Sequence, residues 1–352
     1  MKYKIAVIPG DGIGLEVIPA AIQLLDKLSG IFGFDLEYQH YDYSCELYKK
    51  TGKMMPESGI AQLAQSDAIF LGAVGFPGVP DHISLWGLLI PIRRAFQQYI
   101  NIRPVRLLEG IVSPLRNPGK IDFLIIRENN EGEYSNVGGK IHEGTPYEAV
   151  IQESVFTKMG VDRVMKYAFE LAGKRDKKLA SATKSNGIIH TMTYWDDRFE
   201  TIGKEFPHIE QSKFHIDILC AQFVQHPDWF DVVVASNLFG DILSDLGPSV
   251  VGGLGIAPGA NLNPEKKFPS MFEPVHGSAP DIAGKNIANP IASFWTAQMM
   301  LEHLGEQEAA NLLMDAIEKT IRAGKVLTRD LGGISSTSEV TEEVLKNLGT
   351  NA

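Results

Sequence analysis

The sequence predicts an α/β protein. Short apolar runs recur along the chain, and longer stretches in which apolar residues repeat with helical spacing separate them. This alternation is typical of strands that are connected by helices. The runs lie at residues 5–8, 68–74, 123–126, 179–182 and 232–236, and the helical stretches include residues 15–28, 155–171, 292–304 and 308–321.

Composition limits the partners that this chain can have. Its 352 residues are 44% hydrophobic, which is enough for a core divided between two domains. The formal net charge of -10 argues against nucleic acids and anionic membranes, because both attract an excess of lysine and arginine. An anionic ligand would therefore need a local basic pocket. No apolar run reaches the length of about 18 residues that a membrane helix requires, and we expect a cytoplasmic protein.

A glycine-rich segment follows the first predicted strand. Gly10, Gly12 and Gly14 are spaced G-x-G-x-G, whereas the Rossmann dinucleotide motif is G-x-G-x-x-G with an acidic residue about 20 positions later. The segment predicts a tight strand-to-helix turn, which is either purely structural or placed next to a ligand.

Two aspartates follow the apolar run that ends at residue 236. Asp241 and Asp245 are four residues apart, so they share one face of a helix. This helix would begin at the carboxyl end of a buried strand, where α/β sheets bind ligands. Carboxylate oxygens suit a hard divalent cation such as Mg²⁺ or Mn²⁺. Taken alone, the same spacing is more often an ordinary charged helix face.

Three arginines are predicted to lie at the edges of elements: Arg93, Arg103 and Arg127. The planar guanidinium group pairs bidentately with carboxylates. If the three side chains converge, they form the positive pocket that a dicarboxylate needs. Considered singly, each is more often part of a surface ion pair.

Two further side chains have the chemistry of proton transfer. Tyr134 lies in a polar loop after the run at residues 123–126, and it would be a proton donor if its phenol faces a cleft. Lys184 follows the run at residues 179–182, and it would be a general base if a nearby cation lowered its pKa. Surface placement is the alternative for both.

A segment of small residues near position 277 is a candidate cofactor loop. Gly277 and its neighbours allow close backbone approach, and Asp281 offers a carboxylate to a ribose diol while repelling a 2′-phosphate. The alternative is a well-formed turn in which His276 has a structural role.

Taken in chain order, these segments resemble the β-decarboxylating hydroxyacid dehydrogenases, the family of isocitrate and isopropylmalate dehydrogenases. The motifs lie at residues 8–14, 237–245, 276–281 and 330–333, and those at residues 41–45 and 80–87 resemble the tartrate and D-malate dehydrogenase branch. The resemblance implies a two-domain α/β fold with a large twisted mixed sheet, not a Rossmann fold. Residues 1–98 and 255–352 would form the large cofactor-binding domain, and residues 99–254 the substrate, metal and dimerisation domain.

The resemblance also implies a homodimer whose active site is shared between subunits. Asp241 and Asp245 of one subunit, with Asp217 of the other, would hold Mg²⁺ or Mn²⁺ together with the substrate's carboxylate and 2-hydroxyl. Lys184 of the partner would accept the 2-hydroxyl proton while hydride passes from C2 to NAD⁺, and Tyr134 would protonate C3 after CO₂ leaves. Arg93, Arg103 and Arg127 would clamp a carboxylate.

The cofactor implied by the resemblance is NAD. The positions that would bind it are His276, Gly277, Ser278, Ala279, Asp281, Ile282, Asn289 and Asn186. Among them the pair at positions 281 and 282 matches the NAD type rather than the NADP type. A requirement for a monovalent cation such as K⁺ is left open.

Substrate choice would depend on Trp86, which lies seven residues before Arg93. Its indole would fill the space that larger substituents at C3 need, so the resemblance implies oxidation and β-decarboxylation of a small C4 2-hydroxy dicarboxylic acid such as D-malate or tartrate. Three alternatives stay open: a 3-isopropylmalate dehydrogenase with an alkyl pocket lined by residues 88–90, a tartrate decarboxylase that acts without net redox, and a non-catalytic binding relative. Pro91 is predicted in the first turn of a helix.

Overall fold

The computed structural model describes residues 1–349, so residues 350–352 of the predicted large domain lie outside the described residues. The strands are β1 (Lys2–Gly10), β2 (Asp35–His40), β3 (Ala68–Ala73), β4 (Ile100–Arg106), β5 (Asp122–Glu128), β6 (Gly138–Ile141), β7 (Ala149–Gln152), β8 (Lys178–Thr183), β9 (Glu210–His215), β10 (Val232–Ala235), β11 (Pro258–Leu262) and β12 (Ser270–Pro274). The helices are α1 (Gly14–Phe32), α2 (Cys45–Thr51), α3 (Gly59–Leu63), α4 (Asp81–Ser84), α5 (Ile90–Ala95), α6 (Lys158–Gly173), α7 (Thr191–Gly203), α8 (Ile216–Gln225), α9 (Asn237–Val250), α10 (Ile291–Leu304), α11 (Gln307–Ala323) and α12 (Thr337–Gly349).

Ten of the strands form one mixed sheet in the order β2-β1-β3-β12-β11-β4-β5-β10-β8-β9. The four strands at each end of this order are parallel to one another, and β11 and β4 in the middle are antiparallel to both of their neighbours. The two parallel groups therefore run in opposite directions. The predicted α/β class and the large mixed sheet are confirmed.

Two hydrophobic clusters cover the sheet. The larger one joins α1, α6, α7, α10, α11 and α12 to the strands, and it includes the fully buried Trp195 and Phe294. The smaller one lies beneath α2 and α5 and contains Cys45, Met54 and Leu88. Among residues 1–349, no helix is both long and apolar enough to cross a lipid bilayer.

The predicted helix at residues 155–171 begins later than expected, at Lys158. The Thr157 hydroxyl accepts a hydrogen bond of 3.0 Å from the Gly160 backbone and caps the helix. Val155 before it is held in an isolated antiparallel bridge with Gly132, which explains why the helix cannot extend towards the amino terminus.

Gly10 and Gly12 close the turn between β1 and α1. Their φ angles of +75° and +55° lie in the left-handed region that glycine favours. A Cβ atom at Gly12 would lie 2.0 Å from the Ser278 carbonyl oxygen, and the Ile13 backbone donates a hydrogen bond of 2.8 Å to that oxygen. This turn therefore packs directly against the candidate cofactor loop after β12.

A helical run extends from α4 to α5 through a π-helical segment, Leu85–Leu89. The Ile90 backbone N–H donates to the Leu85 carbonyl, five residues back instead of four. Pro91 lies in the first turn of α5 as predicted, although the helical backbone continues through it. Because proline has no N–H and its ring would clash with the carbonyl four residues back, the widened turn before it accommodates Pro91.

Candidate active site

A row of polar side chains crosses the four central strands on one face of the sheet. Asn101 is opposite Arg127 in the β4–β5 pair and opposite Asn261 in the β4–β11 pair. Residues two apart in a strand share a face, so Arg103 joins Asn101, and Glu273 joins the same row from β12. Hydrogen bonds of 2.9 Å from Asn101 to Asn261 and of 2.8 Å from Arg103 Nε to Asn101 fix the row.

The three predicted arginines converge here, but two of them are not at element edges. Arg103 lies in the middle of β4, and Arg127 lies inside β5 rather than after it, because antiparallel pairing of these strands continues as far as Glu128. Arg93 projects from α5. All three are buried, with exposed fractions of 6%, 6% and 2% for Arg93, Arg103 and Arg127. The expectation of ordinary surface ion pairs is therefore wrong.

Glu273 supplies the counter-charge for two of these arginines. Its Oε1 accepts hydrogen bonds of 2.8 Å from Arg93 Nη2 and from Asn261 Nδ2, and Arg103 Nη2 lies 3.7 Å away. Burial opposes the charge of Glu273, but the two guanidinium groups lower the pKa of this carboxyl below its ordinary value. Burial in turn lowers the pKa of Arg103 to about 10, and Glu273 counteracts this effect.

Arg127 is joined to Tyr134 through Asp241. Arg127 Nη1 pairs with Asp241 Oδ1, and the Tyr134 phenol donates a hydrogen bond of 2.6 Å to Asp241 Oδ2. Burial raises the pKa of Tyr134 to about 12, and this hydrogen bond is the next largest cause of the increase. The phenol therefore carries its proton at neutral pH. Although burial acts in the opposite direction, Arg127 and Tyr134 lower the pKa of Asp241.

Asp245 lies one turn further along α9, as the spacing predicts, and it is exposed. Within residues 1–349, no hydrogen bond or ion pair is made by its carboxylate. Partial burial of the carboxyl group by neighbouring atoms, together with the negative charge of Asp241, raises the pKa of Asp245. The two carboxylates therefore form an oxygen donor set whose mutual repulsion a divalent cation would relieve, and they fit Mg²⁺ or Mn²⁺.

Lys184 and Asp217 form a separate pair. Lys184, after β8, lies 2.7 Å from Asp217 Oδ1 in the first turn of α8, and its hydrogen bond lowers the pKa of this carboxyl. Neither side chain bonds to Asp241 or Asp245 in the part of the chain that the structure describes. In the same range, no three His, Cys, Asp or Glu side chains come close enough together to hold a metal ion.

Trp86 and Tyr134 line a cleft of about 520 Å³. Leu85 and Leu89 also line it, whereas Leu88 is fully buried in the smaller cluster and Ile90 is 7% exposed. Of the three aliphatic residues expected at an alkyl pocket, only Leu89 reaches this cleft.

The candidate cofactor loop follows β12 and packs on the glycine turn. His276 Nδ1 lies 3.0 Å from the Gly277 carbonyl oxygen, and its other ring nitrogen, Nε2, is buried without a partner among the described residues. Burial lowers the pKa of His276. Ala279 has a left-handed backbone, with φ +39°, and Asp281 is exposed. Within residues 1–349, neither this ring nitrogen nor the Asp281 carboxylate has a hydrogen-bonding partner, so both are available to a ligand.

The two predicted asparagines differ in their availability. Both polar atoms of Asn289 are occupied, because Oδ1 accepts from the Ile291 backbone at 3.0 Å and Nδ2 donates to Asp330 at 2.8 Å. Asn186 is exposed on the turn after β8. Asp330 belongs to the motif at residues 330–333, so Asn289 ties that motif to the start of α10.

Sequence reasoning missed three residues that position the site. Glu273 interrupts an apolar strand, and such a buried charge demands a partner. Asn237 Oδ1 accepts from Arg127 Nε and Nη2 at 3.2 and 2.7 Å. Glu133 accepts hydrogen bonds of 2.7 Å from the Ser236 hydroxyl and 3.0 Å from the Leu238 backbone at the start of α9. Only Glu273 carried a signal in the sequence, and the other two depend on tertiary placement.

Comparison with known proteins assigns the family. The isocitrate/isopropylmalate dehydrogenase family matches residues 4–344, so this chain belongs to that family. It is 56% identical to the D-malate dehydrogenase [decarboxylating] of Escherichia coli (strain K12), over 97% of this chain and 98% of the relative. It is 57% identical to the tartrate dehydrogenase/decarboxylase of Pseudomonas putida, over 96% of each chain. The predicted family is therefore confirmed.

A solved structure confirms the family fold. The crystal structure of isocitrate dehydrogenase from Methylococcus capsulatus superimposes with a TM-score of 0.89 and 32% sequence identity. The match covers 98% of this chain and 99% of that one.

Proposed function

We propose that this protein is an NAD- and divalent-metal-dependent enzyme that oxidises and decarboxylates a C4 2-hydroxy dicarboxylic acid such as D-malate or tartrate. The observation that carries this proposal is the balance of charge on the sheet face. Arg93, Arg103 and Arg127 face three carboxylates, those of Glu273, Asp241 and Asp245. A divalent cation held by the two aspartates would leave two positive charges, which match the two negative charges of a dicarboxylate.

The names of the relatives support the same substrate class. One of them, at 56% identity, is called a D-malate dehydrogenase [decarboxylating], and another, at 57%, a tartrate dehydrogenase/decarboxylase. The Trp86 indole lines the cleft beside Tyr134. With C3 of the substrate facing this cleft, the indole would limit the space for a branched or third carboxylate substituent, which supports a small substrate.

The residues of the chain have distinct roles in this proposal. The arginines orient the substrate carboxylates, and Lys184 accepts the 2-hydroxyl proton. The loop after β12 would hold NAD⁺, which would supply a hydride acceptor. Asp241 and Asp245 would hold a divalent cation, which would supply Lewis-acid polarisation of the substrate. Tyr134, whose raised pKa keeps the phenol protonated, delivers a proton to C3 as CO₂ departs.

A homodimer with a shared site is part of the proposal. Lys184 and Asp217 bond to each other and not to Asp241, as expected if they serve the site of a second copy. Apolar side chains next to Asp217 and Asp241 are exposed. The exposed fraction is 49% for Ile218 on α8 and 45% for Ile242 on α9. The β6–β7 hairpin also presents Val150, 64% exposed.

The division into two domains stays a proposal that the strand order supports. Strands β2, β1, β3, β12 and β11 come from residues 1–98 and 255–349, and β4, β5, β10, β8 and β9 come from residues 99–254. Each half of the sheet thus belongs to one of the predicted domains. The cytoplasmic location and the use of a monovalent cation stay predictions.

The test is NADH formation with Mn²⁺, NAD⁺ and, in turn, D-malate, L-tartrate, meso-tartrate, 3-isopropylmalate and isocitrate. We expect the highest kcat/KM on D-malate or tartrate, and Lys184→Ala should abolish turnover while the protein still binds NAD⁺. Faster turnover of 3-isopropylmalate or isocitrate would leave the family intact but overturn the substrate assignment.

A tartrate decarboxylase that acts without net redox stays an alternative. No observation favours it over the dehydrogenase, because the name of the relative at 57% identity combines both activities. The signature of the decarboxylase is CO₂ release that requires NAD⁺ but accumulates no NADH, so both products should be measured in the same reaction.

A further inference from the structure

Arg94 connects the Trp86 wall of the cleft to the loop that carries Tyr134. Its guanidinium carbon lies 5.0 Å from the centre of the Trp86 ring, and its Nη2 donates a hydrogen bond of 2.9 Å to the Tyr134 carbonyl oxygen. Both partners line the cleft of about 520 Å³. The neighbouring Arg93 instead pairs with Glu273, with Nη2 2.8 Å from Oε1.

The π-helical segment makes this contact possible. An α-helix turns about 100° per residue, so residues eight apart differ by about 80° around the axis. One extra residue in the widened turn removes about 100° of this rotation, which leaves Trp86 and Arg94 within about 20° of the same face. A long side chain in a helix points back towards the amino terminus, as Arg94 does towards Trp86. Pro91, which an uninterrupted α-helix would not accommodate, therefore helps to set this juxtaposition.

The Tyr134 loop is held from the other side as well. Glu133 binds the Ser236 hydroxyl and the Leu238 backbone at the start of α9, the helix that carries Asp241 and Asp245. The loop is thus fixed between α5 and α9, with Arg94 as its contact on the α5 side. Loss of Arg94 would free both the Trp86 indole and one side of this loop.

We infer that Arg94 is a positioning and specificity-determining residue, which holds the Trp86 indole across the cleft and fixes the Tyr134 loop beside it. The inference rests on the proposed function in one respect, namely that the cleft receives the C3 side of a hydroxy acid. Arg94 itself does not touch the reacting atoms. It acts on C3 substituents by keeping the indole in place.

The first test measures selectivity. In Arg94→Met, the ratio of kcat/KM for 3-methylmalate to that for D-malate should rise about two- to fivefold. This factor is the change expected in the population of the held indole conformation when one exposed cation–π contact is lost. The kcat for D-malate should fall while the KM of NAD⁺ is unchanged. In a Trp86→Leu background, Arg94→Met should not alter the ratio further, since Arg94 acts through the indole. An unchanged ratio in Arg94→Met, or the same change in both backgrounds, would overturn the inference.

A matched control is Arg163→Met. Arg163 stacks over Tyr99 with its guanidinium carbon 4.1 Å from the ring centre, so this variant also removes an arginine–aromatic contact, at a place outside the cleft. It should leave the selectivity ratio at the wild-type value. If Arg163→Met changes the ratio as much as Arg94→Met does, the effect is one of general destabilisation and the inference fails.

The second test does not depend on turnover. The chain has four tryptophans, and subtracting the emission of the matching Trp86→Phe variant isolates that of Trp86. Its quenching by acrylamide should increase in Arg94→Met and stay at the wild-type value in Arg163→Met. Unchanged quenching in Arg94→Met would overturn the inference.

If the wild type oxidises no C4 acid, the proposed function fails, while quenching still decides the role of Arg94. If Arg94→Met does not fold, Arg94→Lys should shift quenching in the same direction, because lysine lacks the planar stacking surface.

Discussion

The Tyr134 phenol lies 2.6 Å from Asp241 Oδ2, and Arg127 holds the other oxygen of the same carboxylate. A candidate proton donor and a candidate metal ligand are therefore one hydrogen-bonded unit. In the proposed function, protonation of C3 and binding of the cation would be coupled through Asp241, because Arg127 and the phenolic hydrogen bond together lower the pKa of that carboxyl.

Tyr134→Phe tests the proton donor. The rate of decarboxylating oxidation should fall by about 10²- to 10⁴-fold, the usual contribution of a positioned acid, while the KM of NAD⁺ changes little. Since the lost hydrogen bond had lowered the Asp241 pKa, Mn²⁺ binding in the variant should require a higher pH. Steady-state kinetics and a Mn²⁺ titration at several pH values measure both effects.

The control for this variant is Tyr38→Phe. Tyr38 donates a hydrogen bond of 2.9 Å to Asp26 Oδ1 outside the site, so it has the same pairing without the proposed chemistry. Wild-type rates are expected for Tyr38→Phe. Equal rates in Tyr134→Phe and the wild type would remove Tyr134 from the reaction.

The five apolar runs of this chain were readable as strands, and α1, α6, α9, α10 and α11 were readable as helices. The other seven of the twelve strands in residues 1–349 and the contacts within the site were not predicted. Asp241 and Asp245 share a helix face because their spacing is local. Arg103 was misplaced at an element edge, because only antiparallel pairing with β5 shows that its strand continues to Arg106. Asn237 and Glu133 were missed because their partners, Arg127 and the start of α9, are about 100 residues away in sequence.

Asp245→Asn tests the metal site. In the wild type, Mn²⁺ at about 100 times its Kd should raise the free energy of unfolding by about 2.7 kcal/mol. The variant should lose most of this increase and its metal-dependent turnover, while NAD⁺ binding persists. Without metal it should be at least as stable as the wild type, because the Asp245 carboxylate has no partner among residues 1–349 and is repelled by Asp241.

The control is Asp315→Asn, which removes an exposed carboxylate on α11. Thermal unfolding with and without Mn²⁺ is the measurement. A full Mn²⁺ response in Asp245→Asn would exclude this residue as a ligand.

Asp281→Lys tests the cofactor loop. If the exposed Asp281 carboxylate binds the ribose hydroxyls, its replacement should raise the KM of NAD⁺ by about ten- to a hundredfold, the cost of losing hydrogen bonds to a charged acceptor. Use of NADP⁺ should improve, because a lysine attracts the 2′-phosphate. Asp176→Lys makes the same charge change before β8 and should leave both constants unaltered. An unchanged KM of NAD⁺ in Asp281→Lys would contradict the ribose assignment.

Glu128→Gln tests a buried carboxyl group beneath the Tyr134 loop. Glu128 is 1% exposed, and its oxygens accept hydrogen bonds of 2.9 and 2.8 Å from the Asn130 and Glu131 backbones. Burial raises its pKa to about 7 from an ordinary value of 4.5, against the effect of these hydrogen bonds. Between these two pH values the folded protein keeps a proton that the unfolded chain has lost, so this group makes the free energy of unfolding fall as pH rises.

The wild type should therefore lose stability relative to Glu128→Gln as pH increases from about 4.5 to about 7, by on the order of a few kcal/mol. Urea unfolding of both proteins across this range measures the difference. Glu339→Gln is the control, because Glu339 also accepts hydrogen bonds, from the Ser336 backbone and hydroxyl at 2.8 Å, but its pKa is lowered. The contribution of the Glu339 carboxylate to stability is complete above pH 4.5 and is lost only as pH falls further. The difference in free energy of unfolding between Glu339→Gln and the wild type should therefore be flat from about pH 4.5 to about pH 7. A flat difference for Glu128→Gln as well would mean that Glu128 is ionised in the folded protein throughout this range, with the two backbone N–H groups offsetting the effect of burial.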